Sequence, residues 1–277
     1  MTDASAHQRR AATDYDPARP LALARAALDA APAGLLTDLD GTLAPIVRDP
    51  DSARPLPAAV EALHALQARL AVVAVITGRA GADARRMLGS DQLLVVANHG
   101  LEWLEPGAAA TPAREDLAWA PEAVRAALGR VRLDDGSWIE DKTLSATLHF
   151  RNAADPEAVR QRLRRELGDL EPMGLVVRPG RMSLEIRPAA AGNKGTALEA
   201  LVARHALRGV LVMGDDTTDL DMFRAATEAR AAGRLRAAIL AVAGAGEAPP
   251  AIAAAADAVL PNPAAATELL SALAAAG

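Results

Sequence analysis

The sequence predicts an α/β fold with a doubly wound, mainly parallel sheet and an inserted α+β domain. Short, fully apolar segments typical of buried parallel strands alternate with segments of helical spacing. Polar and glycine residues follow the apolar segments, as expected where the strands of an open α/β sheet end. Between about residues 107 and 189 this alternation gives way to two pairs of consecutive strands, which indicates a second domain.

The bulk composition allows a large core and excludes several classes of function. The 277 residues are 51% hydrophobic and 23% charged, enough for one large domain or two modest ones, and with three Trp, one Tyr and two Phe the core must be aliphatic. A net charge of −5 argues against a nucleic-acid or anionic-membrane partner. The absence of cysteine excludes disulfides, thiolate metal sites and a cysteine nucleophile.

Residues 1–20 lack the apolar segment of a signal peptide, and no apolar run approaches the ~18 residues of a membrane span. We therefore expect a soluble, cytoplasmic protein.

The first half of the core is predicted over residues 19–106, after a disordered segment at 1–18. The apolar spacing at Val60, Leu63, Leu66 and Leu70 is helical, whereas 71–76 is a continuous β-branched and apolar run. In chain order we expect a helix at 20–31, a strand at 35–38, a helix at 58–70, a strand at 71–76, a helix at 80–88 and a strand at 93–97.

The inserted domain is assigned to residues 107–189, and its pattern of a helix, two strands, a helix and two strands suggests a lid, or cap. Asp155 and Pro156 are suited to the start of its second helix. We expect helices at 121–130 and from 156 onwards, strands at 137–141 and 144–150, and strands at 175–178 and 182–187 joined by Pro179-Gly180.

The core is expected to resume over residues 190–277, where the first alternation returns. In order we expect a helix at 192–205, a strand at 209–213, a helix after residue 219, strands at 236–242 and 256–260, and an alanine-rich helix from 263 to the end.

The first predicted strand runs into two aspartates, Asp38 and Asp40, which a strand would place on the same side. Gly41 then permits a tight turn, and Thr42 supplies a hydroxyl. Two carboxylates this close repel each other unless a cation lies between them or one keeps its proton. An isolated pair of this kind also fits an ordinary turn at a strand end, so its meaning depends on partners elsewhere in the chain.

Such partners occur at the ends of other elements: Thr77 after the second strand, Lys194 at a helix start, and Asp215 with Asp219 after a later strand. In an open parallel sheet the carboxyl ends of the strands line one crevice, so these residues can converge. Each has an ordinary alternative: a helix cap for Thr77, a solvated surface lysine for Lys194, and helix-capping carboxylates for the aspartates. Together they suit phosphoryl transfer assisted by Mg²⁺.

These motifs resemble those of the haloacid dehalogenase-like (HAD) phosphatases, which read DxDGT, then Thr or Ser after a strand, then Lys, then GDxxxD. The resemblance implies that Asp38 is the nucleophile and forms an aspartyl-phosphate. It implies that Asp40 protonates the leaving oxygen and then activates water. It assigns phosphoryl binding to Thr77 and Lys194, an Mg²⁺ site to Asp38, Asp215 and the backbone carbonyl of Asp40, and orientation of Lys194 or metal-bound waters to Asp216 and Asp219.

Within this superfamily the sequence is similar to the trehalose-6-phosphate phosphatases. The similarity rests on the stretches DLDGTLAPI at Asp38, TGR at Thr77, NHG at Asn98, EDK at Glu140, LHFR at Leu148, LEIRP at Leu184, NKG at Asn193 and GDDTTDLDMF at Gly214. It implies substrate contacts from Gly78, Arg79, Asn98 and His99, and sugar-hydroxyl contacts from the cap residues Glu140, Lys142 and Glu185. Without the resemblance, Glu140 and Lys142 would also fit a solvated ion pair on a sheet face.

The chain departs from the pattern of this group at two positions. Leu220 stands where Glu is usual, outside the core of the GDxxxD motif, and Phe150 stands where Tyr is usual. Both leave the catalytic motifs intact and weaken only the assignment of the sugar.

Three functions follow. The first is Mg²⁺-dependent hydrolysis of trehalose 6-phosphate, with a separate synthase supplying the substrate because the chain shows no fused one. The second keeps the chemistry but acts on another sugar phosphate, such as sucrose phosphate or mannosyl-phosphoglycerate. The third is a non-catalytic sugar-phosphate-binding module, against which the complete set of motif residues argues. A phosphomutase is disfavoured, because it would have to keep water from the phospho-aspartate.

Overall fold

The computed structural model describes residues 15–47, 49, 52–108, 115–134, 136–180, 182–244 and 248–276. These residues form two compact units, one from the described parts of Met1–Thr111 and Gly192–Gly277 and one from those of Pro112–Ala191. The disorder expected over 1–18 falls mostly outside the described residues. It is wrong for 15–18, because Tyr15 packs against the apolar core and the first helix begins at Ala18.

The first unit opens with three helices and four strands. They are α1 (Ala18–Leu28), β1 (Ala33–Thr37), α2 (Pro57–Gln67), β2 (Val72–Ile76), α3 (Gly81–Leu88), β3 (Leu94–Ala97) and β4 (Glu102–Leu104).

The second unit follows as α4 (Ala120–Leu128), β5 (Trp138–Asp141), β6 (Ala146–His149), α5 (Pro156–Leu167), β7 (Leu175–Gly180) and β8 (Ser183–Pro188). The chain then completes the first unit with α6 (Lys194–Arg204), β9 (Gly209–Gly214), α7 (Leu220–Ala231), β10 (Arg236–Val242), α8 (Pro250–Ala255), β11 (Ala258–Leu260) and α9 (Pro263–Ala275).

The first unit is built on a seven-stranded sheet in the order β11-β10-β9-β1-β2-β3-β4. Every neighbouring pair is parallel except β3 and β4, which are antiparallel. From β1 the chain builds outwards through β2 and β3, and after the inserted unit it returns to β9 on the other side of β1. The boundary between β1 and β9 is therefore the point where the strand order reverses, which is where ligands bind in open α/β sheets.

Both faces of this sheet are covered by helices, because successive strand residues are apolar and point to opposite sides. In β1, Leu35 belongs to one buried layer and Leu36 to the other. The Leu35 layer contains residues of α1, α2, α3 and α9, and the Leu36 layer contains residues of α6, α7 and α8. The sheet is thus held between two aliphatic layers, and only the strand ends are free to carry polar groups.

The second unit has a four-stranded antiparallel sheet in the order β5-β6-β8-β7. One face packs Leu148, Leu184 and Ile186 against apolar residues of α4 and α5. Asp155 caps α5 by accepting a hydrogen bond from the backbone N–H of Ala158 at 3.0 Å, as its sequence position predicts.

The fold class and the order of the longer elements confirm the sequence-based expectation, but three details differ. The edge strand β4 and the helix α8 were not expected, because three and six residues are too short for a periodic pattern. Pro179-Gly180 is not the hairpin turn: both residues pair with β8, and the strand continues to Gly180. The turn follows it, with Met182 at φ +55°.

No helix in the described part of the chain is long and apolar enough to cross a membrane.

Candidate active site

The site begins where β1 and β9 end side by side. Thr37 pairs with Met213 in the parallel register, and the backbone N–H of Asp38 donates to the Met213 carbonyl at 2.9 Å. Asp38 follows β1 directly, and Asp215 follows β9. The sequence motifs therefore lie at the reversal point of the strand order, where the sheet geometry alone predicts a ligand site.

Lys194 joins this group from the first position of α6, whose start is fixed by a capping box between Asn193 and Thr196. Its ammonium lies 2.5 Å from Oδ1 of Asp38 and 2.6 Å from Oδ1 of Asp219. The lysine is only 3% exposed, so this is a buried charge paired on both sides. Burial alone would lower the pKa of Lys194, but the charges of Asp219 and Asp38 outweigh it and raise that pKa.

Asp219 connects the lysine to the loop after β9. Its second oxygen, Oδ2, accepts hydrogen bonds from the backbone N–H groups of Asp215 and Asp216 at 3.0 and 3.1 Å. The carboxylate of Asp216 instead accepts from the N–H and the hydroxyl of Thr217 at 2.6 and 3.1 Å, which caps the following turn. The orienting contact to Lys194 expected for these residues is thus made by Asp219, while the side chain of Asp216 supports the loop.

The carboxylates at this point are suited to a cation. One oxygen from each of Asp38, Asp215 and Asp219 lies within 4.8 Å of the others, and all three residues are buried. Burial, with the charges of Asp38 and Asp219, raises the pKa of Asp215 to about 9. Burial likewise raises the pKa of Asp38, to about 7, although Lys194 acts in the opposite direction. A bound divalent cation would relieve this repulsion, so the donor set fits a metal ion.

Two glycines let the backbone approach the Asp215 carboxylate. At Gly41, where φ is +81°, a Cβ atom would lie 2.0 Å from Oδ2 of Asp215. At Gly244, after β10, a Cβ atom would lie 2.4 Å from the Gly41 carbonyl oxygen and 2.8 Å from the same Oδ2. The DxDGT motif pointed to Gly41, whereas nothing in the local sequence around Gly244 distinguishes it from an ordinary loop glycine.

Asp40 is paired with Arg79, which follows β2. The guanidinium Nε and Nη2 atoms each lie 2.7 Å from one oxygen of the Asp40 carboxylate. Arg79 was expected to contact substrate, and that role remains a prediction.

Thr77 is buried at the carboxyl end of β2, the neighbour of β1, and its hydroxyl accepts a hydrogen bond from the Arg79 N–H at 3.2 Å. Asn98 and His99 both have φ near +50°. A Cβ atom on Gly78 would lie 2.5 Å from Nε2 of His99, so the imidazole ring packs directly over that glycine.

Glu102 is a site-supporting residue that sequence reasoning missed. Its Oε1 accepts from the Asn98 side-chain amide at 3.1 Å, and its Oε2 accepts from the Gly81 N–H at 3.1 Å. It therefore ties the Asn98 loop to the start of α3. Its place two residues after the NHG stretch was the signal, but β4 itself was not expected.

The three predicted sugar-binding residues lie in the second unit and are near one another. Glu140 on β5 and Glu185 on β8 both face Thr147 of the intervening strand, and the Lys142 ammonium lies 3.6 Å from Oε1 of Glu140. Glu185 is 9% exposed. Its burial raises its pKa, although Lys142 and Arg187 act in the opposite direction. The chain thus places three charged side chains on one sheet face.

The two departures from the expected pattern are apolar residues with packing roles. Leu220 is partly buried against the layer that contains α7, and Phe150 is 2% exposed within the core of the second unit.

The fold is that of the haloacid dehalogenase-like (HAD) proteins, as shown by the structural similarity to a HAD-superfamily phosphatase from Bacteroides thetaiotaomicron, with a TM-score of 0.58 at 17% identity over 86% of this chain and 92% of that one. The structure is similar to the C-terminal domain of trehalose-6-phosphate phosphatase from C. albicans. The TM-score is 0.73 at 24% identity, and the match covers 93% of this chain and 98% of that one.

The chain belongs to the trehalose-phosphatase family, whose model matches residues 36–252. It is 38% identical over 203 residues to an uncharacterized glycosyl hydrolase of Mycobacterium tuberculosis, covering 68% of this chain and 15% of that protein. It is 35% identical over 201 residues to trehalose-phosphate phosphatase of Mycolicibacterium paratuberculosis, covering 68% of this chain and 50% of that protein. The chain thus spans half or less of the length of these curated relatives.

Proposed function

We propose that this chain hydrolyses trehalose 6-phosphate to trehalose and phosphate through a phosphorylated Asp38, with Mg²⁺ bound at the carboxylate cluster. The observation that carries the proposal is the buried contact of Lys194 with both Asp38 and Asp219 beside Asp215, at the reversal point of the sheet. The family match and the name of the relative from M. paratuberculosis support the choice of substrate.

In the first step a carboxylate oxygen of Asp38 attacks the phosphorus, and the bond from phosphorus to the sugar oxygen breaks. Because Lys194 already binds Oδ1 of Asp38, we assign the attack to Oδ2. Asp40 gives its proton to the departing sugar oxygen, so the sugar leaves as a neutral alcohol.

In the second step Asp40, now a carboxylate, accepts a proton from water as the water oxygen attacks the aspartyl-phosphate. The bond between phosphorus and the Asp38 oxygen breaks, which releases phosphate and restores the Asp38 carboxylate. Lys194 and the hydroxyl of Thr77 are assigned to hold the phosphoryl group during both steps. Lys194 is suited to this role because its ammonium is held in place by two carboxylates.

The residues proposed to hold Mg²⁺ are Asp38, Asp215 and the backbone carbonyl of Asp40. Bound there, Mg²⁺ would supply positive charge for the phosphoryl oxygens. The raised pKa values of Asp38 and Asp215 support a cation at this position.

Recognition of the sugar is assigned to Glu140, Lys142 and Glu185 of the second unit, which we propose acts as a cap. Carboxylates and an ammonium can pair with many hydroxyls, and a site built in this way rejects analogues that lack them. We also propose that the protein is cytoplasmic and that a separate synthase supplies its substrate. Both statements rest on the sequence-based expectations alone.

The test is phosphate release from a panel of sugar phosphates with Mg²⁺, comparing wild type, Asp38→Asn and, as a matched control, Asp29→Asn. Asp29 is exposed at the end of α1, so its substitution leaves the site unchanged. We expect strong preference for trehalose 6-phosphate in wild type and the control, and loss of release in Asp38→Asn.

Equal release from many small phosphates would retain the chemistry and reject this substrate, and a preference for sucrose phosphate or mannosyl-phosphoglycerate would replace it. Absence of release from every compound would favour a sugar-phosphate-binding module instead.

A further inference from the structure

The second sheet has a polar face opposite the one that packs against α4 and α5. The antiparallel register pairs Trp138 with His149, and Glu140 with Thr147. Because side chains alternate along a strand, these four residues lie on the same face, with Glu185 paired to Thr147 from the other side. The proposed sugar contacts therefore share a surface with an aromatic pair that the proposed function does not use.

Glu140 is held by a different group at each carboxylate oxygen. The His149 ring nitrogen Nε2 lies 2.8 Å from Oε2, and the Lys142 ammonium lies 3.6 Å from Oε1. An ionised carboxylate can only accept, so Nε2 donates this hydrogen bond. Burial would raise the pKa of Glu140, but the hydrogen bond from His149 and the charge of Lys142 outweigh it and lower that pKa.

The ring of His149 is itself fixed by stacking. Its centroid lies 4.7 Å from that of Trp138, and the two ring planes are 13° apart. The other ring nitrogen, Nδ1, is buried and makes no hydrogen bond within the described part of the chain. The imidazole thus bonds to Glu140 through Nε2 and stacks on Trp138, which sets the plane in which that hydrogen bond is made.

We propose that Trp138 and His149 are positioning residues that hold the Glu140 carboxylate in the orientation that accepts sugar hydroxyls. This inference rests on the proposed function, in which Glu140 binds the sugar. A glutamate has three rotatable side-chain bonds, and ordering it only when the ligand arrives would reduce affinity. Holding Oε2 through His149 removes part of that cost before the sugar binds and leaves Oε1, beside Lys142, to accept a hydroxyl.

The experiment compares two substitutions of one ring. His149→Phe keeps a flat ring beside Trp138 but removes the donor, whereas His149→Gln retains an N–H donor and loses the ring. We expect His149→Phe to raise KM for trehalose 6-phosphate about tenfold, as for loss of a hydrogen bond to a charged group, with a much smaller change in kcat. His149→Gln should recover most of this loss, and the KM for an aryl phosphate without a sugar should change little in either variant.

Trp138→Leu tests the stacking contact. We expect a smaller rise in KM, about threefold, and no further rise when Trp138→Leu is added to His149→Phe, because both act through Glu140. His64→Phe, a substitution on α2 in the first unit, is the matched control and should leave KM unchanged. Circular dichroism and melting temperature establish folding, and His149→Leu, which also lacks a donor, replaces His149→Phe if the latter does not fold.

The outcomes separate the two proposals. If wild type does not prefer trehalose 6-phosphate, the proposed function fails. If it has that preference but Glu140→Gln leaves KM unchanged, sugar binding by Glu140 is rejected, and the positioning role is overturned with it. If wild type has that preference and Glu140→Gln raises KM, while the donor-lacking His149 variant does not, the positioning role is overturned. The positioning role would also be overturned if His149→Phe and His149→Gln raised KM by the same factor, and did so for the aryl phosphate as much as for trehalose 6-phosphate. Such a result would indicate a general structural role for His149.

Discussion

Arg79 binds both carboxylate oxygens of Asp40, with Nε 2.7 Å from Oδ2 and Nη2 2.7 Å from Oδ1. The planar guanidinium matches the carboxylate in a two-point contact that fixes its plane as well as its position. The side chains come from loops after two neighbouring strands, β1 and β2. The proposed acid and base of the reaction is therefore oriented by a residue whose own motif suggested contact with substrate.

Replacing Arg79 with lysine tests this orientation. Lysine keeps the charge but offers a point contact in place of two parallel hydrogen bonds. We expect kcat for trehalose 6-phosphate to fall about tenfold. This is a part of the ~10²–10⁴-fold rate enhancement that a general acid–base group supplies. Steady-state kinetics provide the measurement, with Arg86→Lys on the exposed side of α3 as the control. A change in KM with kcat preserved would indicate that Arg79 serves the substrate instead of Asp40.

Removal of the Lys194 ammonium should destabilise the fold as well as abolish turnover. Lys194→Met leaves the buried carboxylates of Asp38 and Asp219 without their cation. Breaking a buried ion pair in this way costs about 3–5 kcal/mol of unfolding free energy. Urea unfolding in the presence of EDTA measures the loss, and Lys142→Met in the second unit shows the effect of losing the other lysine. An unfolding curve for Lys194→Met that coincides with wild type contradicts the buried pairing.

The titration of Lys194 can be observed directly, because Lys142 and Lys194 are the only lysines in the chain. The charges of Asp219 and Asp38 outweigh the effect of burial and raise the pKa of Lys194. Selective ¹³C labelling of lysine should give two signals, one of which stays in the charged form above the usual lysine range near ~10.4. Lys142→Arg assigns the signals by removing one. If the remaining signal titrates in the usual range, the ammonium is not held as the structure describes.

The ionisation of Asp215 should make the stability of the fold depend on pH and on bound metal. Its pKa of about 9, caused by burial and by the charges of Asp38 and Asp219, lies above the ~3.9 of an unfolded aspartate. At a pH between these two pKa values and without metal, Asp215 is protonated in the folded protein and ionised in the unfolded chain. The free energy of unfolding that this proton contributes therefore falls as pH rises towards 9. We expect Asp215→Asn, which resembles the protonated acid, to flatten this fall in EDTA.

The same variant should also lose the stabilisation by Mg²⁺ that wild type gains at pH 8, since it removes a proposed ligand. Melting temperatures with EDTA and with excess Mg²⁺, over a pH series, measure both effects, and Asp29→Asn is the control. An unchanged response to Mg²⁺ in Asp215→Asn would place the cation elsewhere.

Gly244→Ala should disturb the site from a loop outside the motifs. The added methyl group would lie 2.4 Å from the Gly41 carbonyl oxygen, so one backbone segment must shift. Because catalysis is sensitive to displacements of about 1 Å, we expect kcat to fall about 100-fold. Gly129→Ala is the matched control, since its Cβ atom would meet nothing closer than 3.5 Å. Wild-type turnover by Gly244→Ala would contradict the close approach of this loop to Asp215.

The parallel sheet, its inserted unit and the positions of the motif residues could be predicted from the sequence. Apolar runs and helical spacing are local patterns, and in a parallel sheet they determine which residues follow the strand ends. Asp38, Lys194 and Asp215 could therefore be placed together from their order in the chain. The short elements β4 and α8 could not, because a few residues do not establish a period. The turn propensity of Pro179-Gly180 was outweighed by the pairing of both residues with β8.

By itself the sequence predicted which residues are proposed to carry the chemistry and at which strand ends they lie. The tertiary structure decided how those residues are held: Asp40 by Arg79, Asn98 by Glu102, Glu140 by His149, and the Asp215 carboxylate beside Gly244. Each of these is a contact between common residue types, most of them outside the catalytic motifs. Their contact depends on strand register, side-chain orientation and burial, quantities that exist only once the chain has folded.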